Sequence, residues 1–411
     1  MPHRRVELGL RSETIRRANL SAIVRELHFG GPLSRSELGA RTGLTRSAIR
    51  ILTGELVSAG LVDEETGPAV GTPGRPSAIV RLRSDSAAVL ALEITVDYLA
   101  AAVVGLGGAV LRHKRVNRPR AAFSVDHMTA ELVELIDDID ARHNPPAPLI
   151  GIGVGIAGIV RREEAVVAIA PNLDWHEVPF GRTLLDAIGM NLPLWLANEA
   201  DLGALAEHRR GIAAGFDDVL YISGEVGVGG GLIVGGRQMA GAAGYGGEVG
   251  HIPLNPNGVA CGCGSIGCWE TEIGERALLE RAGYPTDGGP QSIEALLRDA
   301  RFGGEKPLAA LQHVGSWLGR GIAALTNVLN PSLVVLGGQF ERMFPFIRES
   351  LIATFTELAL RPSARIVSIV PGSLGLDAPL LGAAELAFEE LLDDPMLLAE
   401  SAGSQEWRVV A

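Results

Sequence analysis

The sequence predicts a two-lobed α/β domain preceded by an N-terminal winged helix-turn-helix, and three observations carry that reading. The first is an arginine-rich opening segment in which short amphipathic helices are joined by glycine turns and followed by two strand-like runs. The second is a plan of strands and glycines that begins near Ser84 and repeats after Gly215. The third is the stretch Gly247–Glu272, which holds all three cysteines of the chain.

Composition narrows the classes. A chain of 411 residues, 47% hydrophobic and 20% charged, has enough apolar surface for two or three units with sizeable cores. The opening residues are too polar for a signal peptide, and every long apolar run is broken by glycine or charge before it reaches a membrane span. A cytoplasmic protein without a membrane partner is expected. The net charge of −12 argues against a wholly basic nucleic-acid binder, yet arginines crowd the segment from Arg4 to Arg50, so the positive charge is local.

Taken in order, Leu20, Ile23, Val24 and Leu27 recur at helical spacing over Asn19–Phe29, and Gly30-Gly31-Pro32 stops that helix. Ser34 with Glu37 forms a capping box for a second helix, Gly43 turns the chain, and Thr45 caps a third from about Arg46 to Ala59. Two helices joined in this way match a helix-turn-helix, whose second helix enters the major groove. Thr45, Arg46, Ser47 and Arg50 are then the outward-facing DNA contacts. Gly60–Val62 and Ile79–Leu82 read as wing strands around a Gly/Pro-rich tip, where Arg75, between Gly74 and Pro76, suits a narrow minor groove. The DNA-binding unit is assigned to residues 1–84. A purely structural helical unit with solvated arginines is the competing reading.

The second unit, residues 85–411, opens with paired strands at Val89–Ile94 and Leu99–Val104, then a third at Val110–Arg112. A helix from about Val125 to His143 and a glycine-containing buried strand at Leu149–Val154 follow. The repeat brings Val219–Ile222, a glycine run at Gly227–Gly231 and a strand at Leu232–Val234. Helices at Val314–Leu329 and Ala383–Leu392 flank a strand at Leu333–Leu336. Two similar lobes with a cleft between them are implied.

Within the stretch 247–272, Cys261, Cys263 and Cys268 sit in a glycine-rich loop with His251 just upstream. Three thiolates and one imidazole form the ligand set of a closed, structural tetrahedral zinc site. Three ordinary buried cysteines are the alternative, but such cysteines scatter. Committing them to one metal leaves no disulfide framework, which agrees with a reducing compartment. Glu248 and Glu270 flank the loop, so a metal there fixes two acids, and Glu248, His251 and Glu270 read as a clamp for a polyol.

The order E-x-G-H before C-x-C-x4-C-x-E resembles the signature of the ROK family, which joins sugar kinases and sugar-responsive repressors. The resemblance covers nearly all of residues 88–390 and implies an actin-like, ribonuclease-H-type fold in two lobes. It also implies sugar contacts for Glu248, Glu270 and His251, and for Asn172, whose alternative is an Asx-turn. The N-terminal order SR-x-E-L, TGL-T, GRP is similar to the winged helix of the repressor branch, the branch of the xylose and N-acetylglucosamine repressors.

Kinases of the family carry D-x-G-G-T-K and G-T-G-x-G-G-G phosphate loops, where this chain has Glu93–Tyr98 and Gly224-Glu225-Val226-Gly227. Lost glycines and an added carboxylate both disfavour a polyphosphate. The catalytic Asn-Asp becomes Asn198-Glu199, which displaces the carboxylate by a methylene but leaves both residues able to bind sugar hydroxyls. Trp175 is expected in the core or on the cleft wall. The expectation is a non-enzymatic regulator with structural zinc, a sugar effector between the lobes, and a homodimer or homotetramer on an inverted-repeat operator. An active ATP-dependent ROK sugar kinase with a DNA-binding arm is the alternative.

Overall fold

Leu20, Ile23, Val24 and Leu27 do fall on one buried face of a helix, α1 (Ser12–Gly30), in the structure, a computed structural model that describes residues 12–66, 77–120 and 124–397. The helix starts at Ser12, ahead of the predicted Asn19. Its first turns are polar and give no apolar period, but Arg16 ties them to Glu13 and Glu55.

After β1 (Leu33–Ser34), α2 (Arg35–Thr42) carries the expected reciprocal capping box and ends on Gly43 in the left-handed conformation, φ 71°. Thr45 caps α3 (Arg46–Ser58), its hydroxyl accepting from the Ala48 amide at 3.3 Å. β2 (Val62–Thr66) and β3 (Ala78–Leu82) are antiparallel, and β1 adds to β3 on its other side. β2 begins later than predicted because Gly60, at φ 73°, turns the chain out of α3 first. Arg75 lies outside the described residues.

The first lobe runs through β4 (Ala88–Ile94), β5 (Tyr98–Gly105), β6 (Val110–Asn117), α4 (Val125–Asp138), β7 (Leu149–Ile156), β8 (Ile159–Arg161), β9 (Val166–Ala170), β10 (Trp175–Val178), α5 (Phe180–Ile188) and β11 (Leu194–Asn198). α6 (Glu199–Arg210) crosses to the second lobe. There follow β12 (Val219–Gly224), β13 (Val228–Val234), β14 (Arg237–Gln238), α7 (Glu270–Ile273), α8 (Glu275–Ala282), α9 (Gly289–Arg301), α10 (Glu305–Leu329), β15 (Leu333–Gly338), α11 (Gln339–Leu358), α12 (Arg361–Ala364), β16 (Ser368–Pro371) and α13 (Ala378–Asp393). The helix predicted to reach His143 ends at Asp138, where Asp140 takes a positive φ of 52°.

Each lobe is built on a five-stranded sheet, ordered β6-β5-β4-β7-β11 in one and β14-β13-β12-β15-β16 in the other. In both, three antiparallel strands are extended by two parallel ones, so the repeat suspected in the sequence is a repeat of topology. The glycine run is not a loop, however. Gly229, Gly230 and Gly231 lie inside β13, paired with β12. A Cβ at Gly231 would stand 2.4 Å from the Ala204 Cβ and 2.7 Å from the Ala200 carbonyl, so glycine is what lets α6 lie directly on the sheet.

The apolar core does not stop at residue 84. Leu20, Leu27, Leu56 and Leu61 of the N-terminal segment belong to one cluster with Val89, Ala102, Phe388 and Leu392. Separate clusters fill the first lobe under α4 and α5 and the second under α10 and α11. Among the described residues no helix is long and apolar enough to cross a membrane.

Candidate functional site

The cysteine loop is folded by its own backbone. The Cys261 amide bonds the Ser265 carbonyl at 2.8 Å, Gly264 closes back on Cys261, and Pro253 bridges to Cys268. Trp269, fully buried and donating its indole N–H to the Trp317 carbonyl at 2.8 Å, anchors the loop in the second lobe. His251, Cys261, Cys263 and Cys268 thereby converge, with all ligand atoms within 4.8 Å of one another. Cys263 and Cys268 sulfurs stand 3.6 Å apart, and Cys261 Sγ stands 3.7 Å from His251 Nδ1. Tetrahedral zinc with Zn–S bonds of ~2.3 Å requires S···S separations of about 3.8 Å, so the donor set and its spacing fit a zinc ion. The three thiols are free, not bridged to one another.

Glu248 leads into the short turn carrying His251, and Glu270 opens α7 directly after Cys268 and Trp269. Burial pushes the Glu248 carboxyl up, opposed by His251 and reinforced by Asp201 and Glu270. Glu270 Oε2 accepts from the Val228 amide at 3.0 Å, which leaves Oε1 toward the cluster, 4.0 Å from Cys261 Sγ. Three of the expected sugar contacts are thus brought together.

The remaining three are arranged differently. Asn198 ends β11 and caps α6, its Oδ1 accepting from the Ala200 amide and its Nδ2 donating to the Gly158 carbonyl, each at 2.8 Å. Its amide is already engaged at both ends. Glu199 is half-buried, and burial raises its carboxyl to about 7. Asn172 is exposed on a 3-10 turn between β9 and β10, and Trp175 beside it is buried against Phe180 in the core of the first lobe.

Sequence reasoning missed two ties across the lobes. Arg162, between β8 and β9, pairs with Asp201 of α6 at 2.5 Å and reaches Gln238 of β14 at 3.3 Å. Arg120 makes a bidentate pair with Asp97 at 2.6 and 2.7 Å, then a second with Glu275 of α8 at 2.6 and 2.9 Å. Asp97 sits in the β4–β5 turn, the segment matched above to the first phosphate loop. Around it, Glu93 is buried with one oxygen taking the Tyr98 hydroxyl at 2.7 Å and the other without a hydrogen bond. Glu225 is pushed well above the usual carboxylate range by burial and by Glu199, Glu93, Asp97 and Glu275. These partners lie up to 155 residues apart, and no local pattern announces them.

On the N-terminal unit, Thr45, Arg46, Ser47 and Arg50 are all exposed at the start of α3. Other arginines in that segment are internally neutralised: Arg25 by Glu389, Arg35 by Glu64 and Arg41 by Glu26. Arg46 and Arg50 make no ion pair among the described residues.

Two topologically repeated lobes joined by a crossing helix, with a Cys3His cluster in the second, define a two-lobed actin-like α/β protein. The ROK family model matches residues 89–390, and the chain belongs to that family. The chain is similar to the xylose repressor of Bacillus subtilis (strain 168), 27% identical over 384 residues, covering 92% of this chain and 97% of the relative. The glucokinase of Streptomyces coelicolor is 30% identical over 316 residues, covering 73% of this chain and 96% of the relative. Among solved structures, a ROK family transcriptional regulator homologous to the E. coli MLC protein superposes with a TM-score of 0.76 at 26% identity, covering 95% of this chain and all of that one. A ROK glucokinase from Streptomyces griseus, in complex with glucose and AMPPNP, gives 0.64 at 28% identity and 73% coverage.

Proposed function

We propose that the chain is a sugar-responsive transcriptional repressor. In this reading residues 1–84 form a winged helix-turn-helix that binds operator DNA, and residues 85–411 sense a sugar between the lobes. The observation that carries it over the kinase reading is the Asp97–Arg120–Glu275 ion-pair chain, which fills with the protein's own charges the turn matched to a phosphate loop. A nucleotide would have to displace a doubly bidentate arginine and then face Glu225. The reach of the similarity supports the same view: repressor relatives run through the N-terminal unit, whereas the kinases leave about a quarter of this chain uncovered.

Arg46 and Arg50, exposed and without an ion pair among the described residues, would contact DNA together with Thr45 and Ser47, and Arg75 would enter the minor groove. A dimer would place two such helices ~34 Å apart, or a multiple of that, on an inverted repeat. Glu248, His251, Glu270, Glu199, Asn198 and Asn172 would line the sugar site. His251, Cys261, Cys263 and Cys268 would hold a zinc ion whose part is to position the acids, its closed coordination supplying no reactive water.

The glucokinase identity of 30% favours one second reading, an active kinase with a DNA-binding arm. Purified protein assayed with ATP, magnesium and either glucose or xylose decides between them. Turnover in the ordinary enzyme range of ~1–1000 per second sinks the repressor reading. Its absence, together with a dyad-symmetric footprint whose affinity falls steeply with salt, supports it.

A further inference from the structure

The helix that begins at the candidate sugar site ends at the DNA-binding unit. α6 starts with Glu199 directly after Asn198, lies on β13 of the second lobe, and is about 18 Å long at 1.5 Å per residue. Its last residue is Arg210. That guanidinium donates to the His28 carbonyl at 3.2 Å, to the Gly107 carbonyl at 3.1 Å and to Glu385, which puts it against α1, the β5–β6 turn and α13 at once. A Cβ at Gly108 would stand 2.2 Å from the guanidinium carbon, so the turn is shaped to receive it.

His28 completes the junction. It is 1% exposed; its Nδ1 accepts from the Gly107 amide at 3.0 Å, and its Nε2 lies 3.2 Å from Glu385. At the same end of α6, Glu207 takes the Ser373 and Leu374 amides at 2.6 and 2.9 Å and so fixes the helix to the loop after β16 of the second lobe. This end of α6 is thus held to the second lobe, while α1 and the β5–β6 turn belong to the N-terminal unit and the first lobe. Arg210 is the point where the end of α6 meets α1, the β5–β6 turn and α13 together.

We propose that Arg210 is the positioning residue through which the state of the cleft reaches the DNA-binding helices, with His28 as its receiver on α1. This rests on the regulatory reading above, and it adds a route and two residues to it. A rigid helix with one end in each site is a physical link of the kind that coupling requires, and coupling is reciprocal.

Hydrogen exchange followed by mass spectrometry tests the link without sugar or DNA. Arg210→Lys keeps the charge but cannot reach three elements, and His28→Asn enters the same junction from α1. Each variant is expected to raise exchange several-fold both locally, around Gly107, and at the far end, in residues 198–202 and 247–251. In reverse, Glu199→Gln should alter exchange at Gly107. Changes confined to the junction overturn the proposal. So does an equal rise in α10 and α11, which marks general loosening. Because neither ligand enters the measurement, failure of the regulatory reading in a binding assay remains separate from failure of this link.

Discussion

Single side chains set much of what can be measured. Glu93 is one case: burial holds its carboxyl at about 8 instead of 4.5, opposed by Tyr98 and Arg115 and reinforced by Glu199 and Asp377. The native state therefore keeps a proton that the unfolded chain releases, and stability falls as pH rises from about 4.5 to about 8. Glu93→Gln cannot ionise, so its melting temperature should match the wild type near pH 4.5 and exceed it at pH 8, by on the order of a few degrees. Equal melting temperatures at both pH values count against a buried, neutral Glu93. Glu248→Ala belongs to the same scale. It should remove a hydroxyl contact worth about 1.5–3 kcal/mol from sugar binding while leaving operator binding and zinc content unchanged. Isothermal titration beside elemental analysis separates loss of the contact from loss of the metal. At this scale the sequence was legible where donors lie close together, as in Cys261, Cys263 and Cys268, and illegible where one arginine joins acids far apart, as Arg120 joins Asp97 and Glu275.

At the scale of elements, capping and periodicity marked most boundaries, and glycine misled. The Ser34–Glu37 box and the Thr45 cap stand where local chemistry requires them. The run Gly227–Gly231 reads locally as a loop because glycine is a poor strand former. Its reason for lying in β13 is the helix on top of it, a tertiary fact. Gly231→Val should therefore destabilise by overpacking, about 1–3 kcal/mol in denaturant titration, since Ala204 and Ala200 leave no room for a side chain. The cysteine loop should answer to metal removal in a similarly local way. One zinc per chain is expected, and chelation should open the exposed stretch from Val259 to Ile266 to proteases while the buried core around Trp269 and Leu318 stays protected. Cleavage that begins equally in α10 or α11 contradicts that confinement.

For the whole molecule, the shared core running from Leu20 to Leu392 changes what the N-terminal segment is. A composition break near Ser84 suggests a unit hung on a linker, yet Phe388 and Leu391 of α13 pack into the same cluster as α1. Composition reports where a sequence changes character, not which surfaces meet. Thermal unfolding should accordingly show the N-terminal unit melting together with the first lobe, and a separate low-temperature transition for residues 12–82 contradicts this. Two recognition helices in a dimer would then be held by the bodies of the proteins themselves, so operator spacing should tolerate few inserted base pairs.

The arginine that bridges Asp97 and Glu275 has a consequence at the level of the cell. The Streptomyces griseus glucokinase takes both glucose and AMPPNP, and any protein that binds a sugar and a nucleotide together responds to two supplies. In a regulator whose own guanidinium stands at that turn, gene control would follow the carbon source alone, in starved and well-fed cells alike.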